Sequence, residues 1–334
     1  MSSGSEKKRL NYIDVAKGLL IIFVVVGHVL SALKKTYPES AFLAESLDLK
    51  NLLWVSYYMP AFFVLTGFCS NFDKTFGTFF VANCKSLKVP AIFFGIIYSL
   101  GHCLQHGGGG VDALKVVLIS PLHSGFWFLD ALFISKIVYW FVNRLFLNYK
   151  MRLIVSFVLL CIATVSWKTM GFEDDFFNIL HAIIFVFFIS FGQFARIAEF
   201  DFPKKYVVAI IPYTVVCLAL FINEMSIPSI TRVINIDYNV FLFVMLSLCG
   251  TITIISISRI INGNAVLEYI GRNSLIFYMI HLIALSPCLK ICQKLLPAEA
   301  PIAFLAVCIL LFAICTIFSV LLNKKYLNVL LGKF

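Results

Sequence analysis

The chain of 334 residues is 61% hydrophobic and only 13% charged, with 35 phenylalanines and a mean hydropathy of +0.95. A soluble domain carries about 25% charged residues, so too little polar surface is available here to cover a water-soluble globule. The formal net charge is +10, from 27 Lys and Arg against 17 Asp and Glu. No basic patch interleaved with aromatics accompanies it, and the cation excess points to membrane loops rather than to nucleic acid.

The apolar residues form long runs instead of short alternations, which predicts an all-α, polytopic integral membrane protein. The expected organisation is a single domain over 1–334 without a soluble domain. A spanning helix needs about 20 residues. On that ruler ten spans are expected, in order near Asn11–Leu33, Leu52–Phe72, Val89–Leu104, Gly125–Leu145, Leu153–Trp167, Asn178–Ala198, Tyr206–Asn223, Val240–Ile261, Leu267–Pro287 and Ile302–Leu322. The third and fifth are short. The first run follows Lys7-Lys8-Arg9 but is too long for a signal-peptide core, carries ionisable residues and lacks a small-residue cleavage site, so it reads as a retained span.

Loops on the side of the N-terminus carry about twice the Lys and Arg of the opposite loops, which places both termini in the cytoplasm. Glu173, Asp174 and Asp175 then fall outside, and Gly107–Gly110 reads as an outer loop without the Gly-Lys-Ser/Thr ending of a phosphate-binding loop. The ten cysteines lie mostly inside apolar runs with no two-residue spacing. They read as small core residues, and no metal site is expected.

Ionisable residues inside spans cost about 2.5–3.5 kcal/mol each at a helix centre, so they are the candidates for function. The first span, NYIDVAKGLLIIFVVVGHVLSALKK, holds Asp14, Lys17 and His28. Eleven residues separate Lys17 from His28; at about 100° per residue the two differ by only about 20° around the helix and stand about 16 Å apart along it. Asp14 is three residues from Lys17 and shares that face. Each residue taken singly reads equally well as an interfacial or interhelical polar group, but the three together form a stripe suited to a polar pathway between two compartments. Lys85 and Lys88 precede Pro90 at the entrance of the third span. Asp130 and Lys136 lie in the fourth, and Tyr278 and His281 in the ninth, where Asn273 and Ser274 begin a partly polar face.

Four segments in order, YIDVAKGLLIIFVVVGH, YMPAFFVLTGF, FWFLDALF and NSLIFYMIHL, resemble the successive signatures of the membrane acyltransferase-3 family. The text is most similar to stand-alone sugar O-acetyltransferases of the fucose 4-O-acetylase-like kind. The resemblance implies a ten-helix enzyme of the bacterial inner membrane that uses cytoplasmic acyl-CoA, often acetyl-CoA, to acylate a hydroxyl of a carbohydrate or lipid-linked glycan. It puts Lys17 and His28 at the positions of the family's first-helix arginine and histidine, and Lys85 and Lys88 at an arginine pair beside the third span. Lysine keeps the charge at these positions but loses the planar fork of arginine. Trp127 matches the aromatic signature of the fourth span; Asn273, Ser274, Tyr278 and His281 match that of the ninth.

The expected chemistry is acyl transfer, with His28 as general base on the acceptor hydroxyl, since histidine's ordinary pKa of about 6.5 suits that task. Asp14 and Lys17 support it, and Lys17, Lys85 and Lys88 attract the acyl-CoA donor. Trp127, Asp130, Tyr278 and His281 are the candidate substrate contacts. Ser31, three residues from His28, is an alternative acyl carrier. Two other classes share these features: a proton-coupled transporter using Asp14, Lys17 and His28 as a relay, and a non-catalytic binding module. A transporter more often shows an internal repeat with matching broken helices, and none is evident.

Overall fold

All regular structure among the described residues is helical. The computed structural model describes residues 10–105, 107, 115, 126–170, 179–200, 202–229, 240–295 and 299–333. Lys7–Arg9, Gly108–Gly110, Glu173–Asp175, Arg232 and the expected span starts Gly125 and Asn178 lie outside them.

The helices are α1 (Asn11–Thr36), α2 (Ala41–Leu53), α3 (Tyr58–Cys69), α4 (Phe76–Asn83), α5 (Val89–Gln105), α6 (Trp127–Leu145), α7 (Tyr149–Met170), α8 (Ile179–Ile197), α9 (Ile210–Ile222), α10 (Val240–Ile260), α11 (Ala265–Arg272), α12 (Ser274–Leu295) and α13 (Ala300–Leu322). A π-helical turn, Cys84–Lys88, joins α4 to α5, and the 3-10 turn Lys204–Ala209 leads into α9. Among the described residues nine helical segments are long and apolar enough to cross a membrane. Helix α6 is 19 residues long and holds Asp130, Lys136 and Arg144. With α6 counted, ten long helical segments lie near the ten spans of the sequence reading.

Four segments differ from the sequence reading. The fifth, expected to be short, is the 22-residue α7. The second begins at Ala41 and is broken between Leu53 and Tyr58. The break is stabilised from outside: Ser247 of α10 donates to the Ser56 carbonyl at 2.8 Å, and the Ser56 hydroxyl donates to the Pro228 carbonyl at 2.6 Å. Backbone groups freed in an apolar medium need such partners. The third is not short, because the chain is helical from Phe76 to Gln105 through the π turn. Lys85 and Lys88 therefore sit on that turn, within the helical segment rather than before it. The ninth is divided at Asn273, whose side-chain amide donates to the Tyr269 carbonyl at 2.9 Å and whose oxygen accepts from Asn323 at 2.7 Å. Helical periodicity marks apolar continuity, and none of these polar repairs is visible in it.

Helix α1 forms the centre, packed by α3 and α10–α13. Its approach to α11 is close enough for backbones to touch. A Cβ on Gly18 would stand 2.3 Å from the Leu267 carbonyl oxygen, and one on Gly271 would stand 1.7 Å from that of Asp14. Helices α3 and α8 use the same reciprocal device, Gly67 against Ile189 and Gly192 against Val64. Small residues allow this proximity where lipid provides no hydrophobic drive for helix association. The rings of Phe63 and Phe185 stack between α3 and α8, 3.9 Å apart and 2° from parallel.

Candidate active site

The central position of α1 puts its polar face against two cavities. The first, about 170 Å³, is lined mainly by apolar side chains, among them Ile21, Met59, Phe62, Leu129 and Leu132, with Lys17 and Tyr278 as its polar members beside Thr66 and Ser274. The second, about 700 Å³, is lined by His28, Ser31, Lys35, Tyr98, His102, Gln105, Trp127, Tyr278 and Lys290 together with apolar side chains of α12. Met59 and Tyr278 line both. The eleven-residue step from Lys17 to His28 thus carries one helix face from the first chamber to the second, and Met59 and Tyr278 belong to the walls of both.

His28 is exposed, and the surface it exposes borders the larger chamber. It also borders a recess of about 60 Å³ formed with Ser31, Lys50, Trp54 and Tyr58. The break after α2 brings those residues in. Trp54 stacks on Phe23 of α1 at 4.8 Å, and the Lys50 methylenes pass 3.6 and 3.8 Å from where a Cβ on Gly27 would stand. The Ser31 hydroxyl donates to the Gly27 carbonyl at 2.8 Å, one turn back in its own helix.

Behind His28 lies His281 of α12, fully enclosed, its ring centre 5.2 Å from that of His28 and 5.9 Å from that of Tyr278. Tyr278 is fixed edge-on against Phe126 and Phe128 at 5.8 and 5.3 Å. Trp127 lies beside His181 and Phe185 at 5.6 and 6.3 Å, presenting its remaining face to the larger chamber.

Of the residues singled out in the sequence, His28, Trp127, Tyr278 and His281 are gathered at one place, and Lys17 faces the adjoining chamber. Asp14 is buried where α1 meets α11 and lines neither chamber. Lys88 and Asp130 form an ion pair at 2.5 Å; neither lines a chamber, although their chain neighbours Leu87 and Leu129 line the first. Lys85 is exposed on the π turn. Lys50, Trp54, Tyr58, Met59, His102, Gln105 and Lys290 enter only through the fold. A signal for the first two exists in retrospect, because Lys50 and Trp54 are four residues apart and turn to one helix face. Among the described residues no group of three or more His, Cys, Asp or Glu side chains is placed to hold a metal ion, and all ten cysteines are free thiols.

An acyltransferase domain family, acyltransferase-3, matches residues 10–320. The chain belongs to this family. The match embraces both chambers and every helix that lines them. No curated protein and no solved structure gives a significant match. Membership in the acyltransferase-3 family makes group transfer the chemistry against which the chambers are read.

Proposed function

We propose that this family member is a membrane O-acyltransferase that moves an acetyl or other small acyl group from cytoplasmic acyl-CoA to a hydroxyl of a cell-surface carbohydrate or lipid-linked glycan, in a bacterial inner membrane with both termini cytoplasmic. One observation carries the reading: Lys17 and His28 share a face of α1 yet border different chambers that meet at Met59 and Tyr278.

The division fits a donor and an acceptor that approach from opposite sides. The narrow apolar chamber suits the pantetheine arm and acyl group, with Lys17 attracting the anionic donor. The wider chamber, with its hydroxyls, amide, imidazoles and indole, suits a sugar. His28 takes the proton of the acceptor hydroxyl as that oxygen attacks the thioester carbonyl. The carbon–sulfur bond then breaks, the CoA sulfur leaves with the electron pair, and the imidazolium returns the proton to it. Lys50, beside His28, supplies positive charge for the oxyanion that develops on the carbonyl oxygen. Ser31 is engaged with its own helix backbone, which favours direct transfer over a serine-bound acyl group.

The test is acyl-CoA-dependent thiol release by purified protein in detergent, paired with O-acylation of surface glycans in a deletion strain complemented at matched membrane levels. Wild type is expected to release CoA and restore acylation, and His28→Ala to lose at least about 100-fold in rate. Full activity of His28→Ala would remove the general base; no CoA release by wild type with any acyl-CoA, together with unchanged surface glycans on deletion, would remove the function.

A further inference from the structure

His281 lines neither chamber and is fully enclosed, yet it is one of the few ionisable side chains in the interior of the bundle. Its Nδ1 lies 2.9 Å from the Phe277 carbonyl oxygen, one turn back in α12. A carbonyl only accepts, so Nδ1 carries the ring proton, and in the neutral imidazole the lone pair is confined to Nε2. That Nε2 is buried and has no hydrogen-bond partner. A buried acceptor left unsatisfied costs about 1–3 kcal/mol, so its retention calls for a partner made in a working state. The nearest imidazole is that of His28, with ring centres 5.2 Å apart and planes inclined at 49°. At this spacing a small rotation of the more accessible ring brings nitrogen to nitrogen, and catalytic hydrogen bonds are commonly long before substrate binds.

We propose that His281 is a positioning residue: its Nε2 accepts the N–H of His28, fixing the His28 tautomer so that the other nitrogen presents its lone pair to the acceptor hydroxyl, and then supports the His28 imidazolium. The proposal rests on the acyl-transfer reading for its role in turnover. The proton itself stays on His28 throughout; only the hydrogen bond strengthens as charge develops. Helix α12 supplies this partner rigidly, since Phe277 and Tyr278, which flank the connection, are themselves buried. The polar groups around the two rings include Ser31, Lys50, Trp54 and Tyr58 on the recess side and Tyr278 on the α12 side, while Lys35, His102, Gln105 and Lys290 share the larger chamber with His28.

Two substitutions separate the nitrogens. His281→Asn keeps an amide near the Phe277 carbonyl but ends short of the Nε2 position, whereas His281→Gln reaches it. Two quantities are measured on purified wild type and both variants: the rate at which diethyl pyrocarbonate labels His28, followed by peptide mass spectrometry, and the steady-state constants of transfer. In His281→Asn, labelling of His28 and kcat are each expected to fall about 10- to 100-fold, with KM for acyl-CoA and acceptor unchanged. His281→Gln is expected to recover a large part of both. An unchanged labelling rate in His281→Asn overturns the proposal, as does an equal loss in the Asn and Gln variants. His281→Leu, similar in size and without an acceptor, gives the same comparison if the Asn variant does not fold. Labelling requires no turnover, so a wild type that releases no CoA would overturn the acyl-transfer reading alone while the labelling rates still decide the role of His281.

Discussion

The ammonium of Lys88 stands 2.5 Å from a carboxylate oxygen of Asp130, joining the π turn before α5 to the first turn of α6. Asp130 is 3% exposed, and Lys88 also approaches the Phe133 ring at 5.4 Å. A buried carboxylate in an apolar bundle is tolerated when a cation is held against it. The sequence reading has Lys88 attracting the donor and Asp130 among the substrate contacts; their ion pair also ties the fourth-span helix to the third.

Lys88→Ala is accordingly expected to destabilise the protein by about 3 kcal/mol, since it removes the cation held against a buried carboxylate. The double variant Lys88→Met with Asp130→Leu should regain most of that loss. Thermal unfolding in detergent, followed by fluorescence-detected size exclusion, measures both. A Lys88→Ala protein of unaltered midpoint whose KM for acyl-CoA alone rises would return Lys88 to donor binding.

Lys17 offers a contrasting case, because it borders a chamber. Lys17→Ala is expected to raise the KM for acyl-CoA about tenfold with kcat little changed, the mark of lost ground-state binding. Lys17→Arg should retain the affinity, since guanidinium binds phosphate at least as well as ammonium. Steady-state kinetics at fixed acceptor decide it; equal effects on kcat would place Lys17 in the reacting geometry instead.

Met59 lines both chambers, so a larger side chain there should fill the space where they adjoin. Met59→Trp is expected to lower transfer at least about 100-fold through loss of the aligned geometry, with acyl-CoA binding, measured by calorimetry in detergent, weakened much less. Retained transfer would mean that donor and acceptor meet elsewhere.

Lys50 belongs to the recess beside His28. Lys50→Met, which keeps the length of the side chain and removes its charge, is expected to lower kcat about 10- to 100-fold with a stable fold, as for the loss of one group that stabilises an oxyanion. Equal kcat values for wild type and variant would restrict Lys50 to packing over Gly27.

The two reciprocal glycine contacts make a stability prediction. Gly271→Ala places a Cβ 1.7 Å from the Asp14 carbonyl oxygen, a backbone atom that cannot turn aside. A loss of more than about 2 kcal/mol and low yield of folded protein are expected. Gly77, with nothing within 4 Å of its added Cβ, is the control: Gly77→Ala should be neutral or slightly stabilising, by up to about 1 kcal/mol. Thermal midpoints of the two variants test the pair.

The membrane class, the helical architecture and the approximate course of the long helices were legible in the sequence because bilayer thickness and the 3.6-residue period act on every turn of a span. Residues tied by helical periodicity alone were legible too: Lys17 and His28 are held to one face of α1 whatever surrounds it. The breaks at residues 54–57 and at Asn273 were not, because their polar repairs come from Ser247 and Asn323, residues remote in the chain.

Local order in the chain therefore determined that His28 and Lys17 point the same way about 16 Å apart. Only the tertiary structure decided that Asp14, on the same stripe, is buried where the α1 backbone meets α11, that Lys88 pairs with Asp130, and that Lys50 and His281 flank His28. The physical reason is that a helix fixes the direction of its own side chains, whereas what each one meets is set by close packing between helices distant in sequence, with backbones drawn together at glycines and freed polar groups satisfied across the bundle.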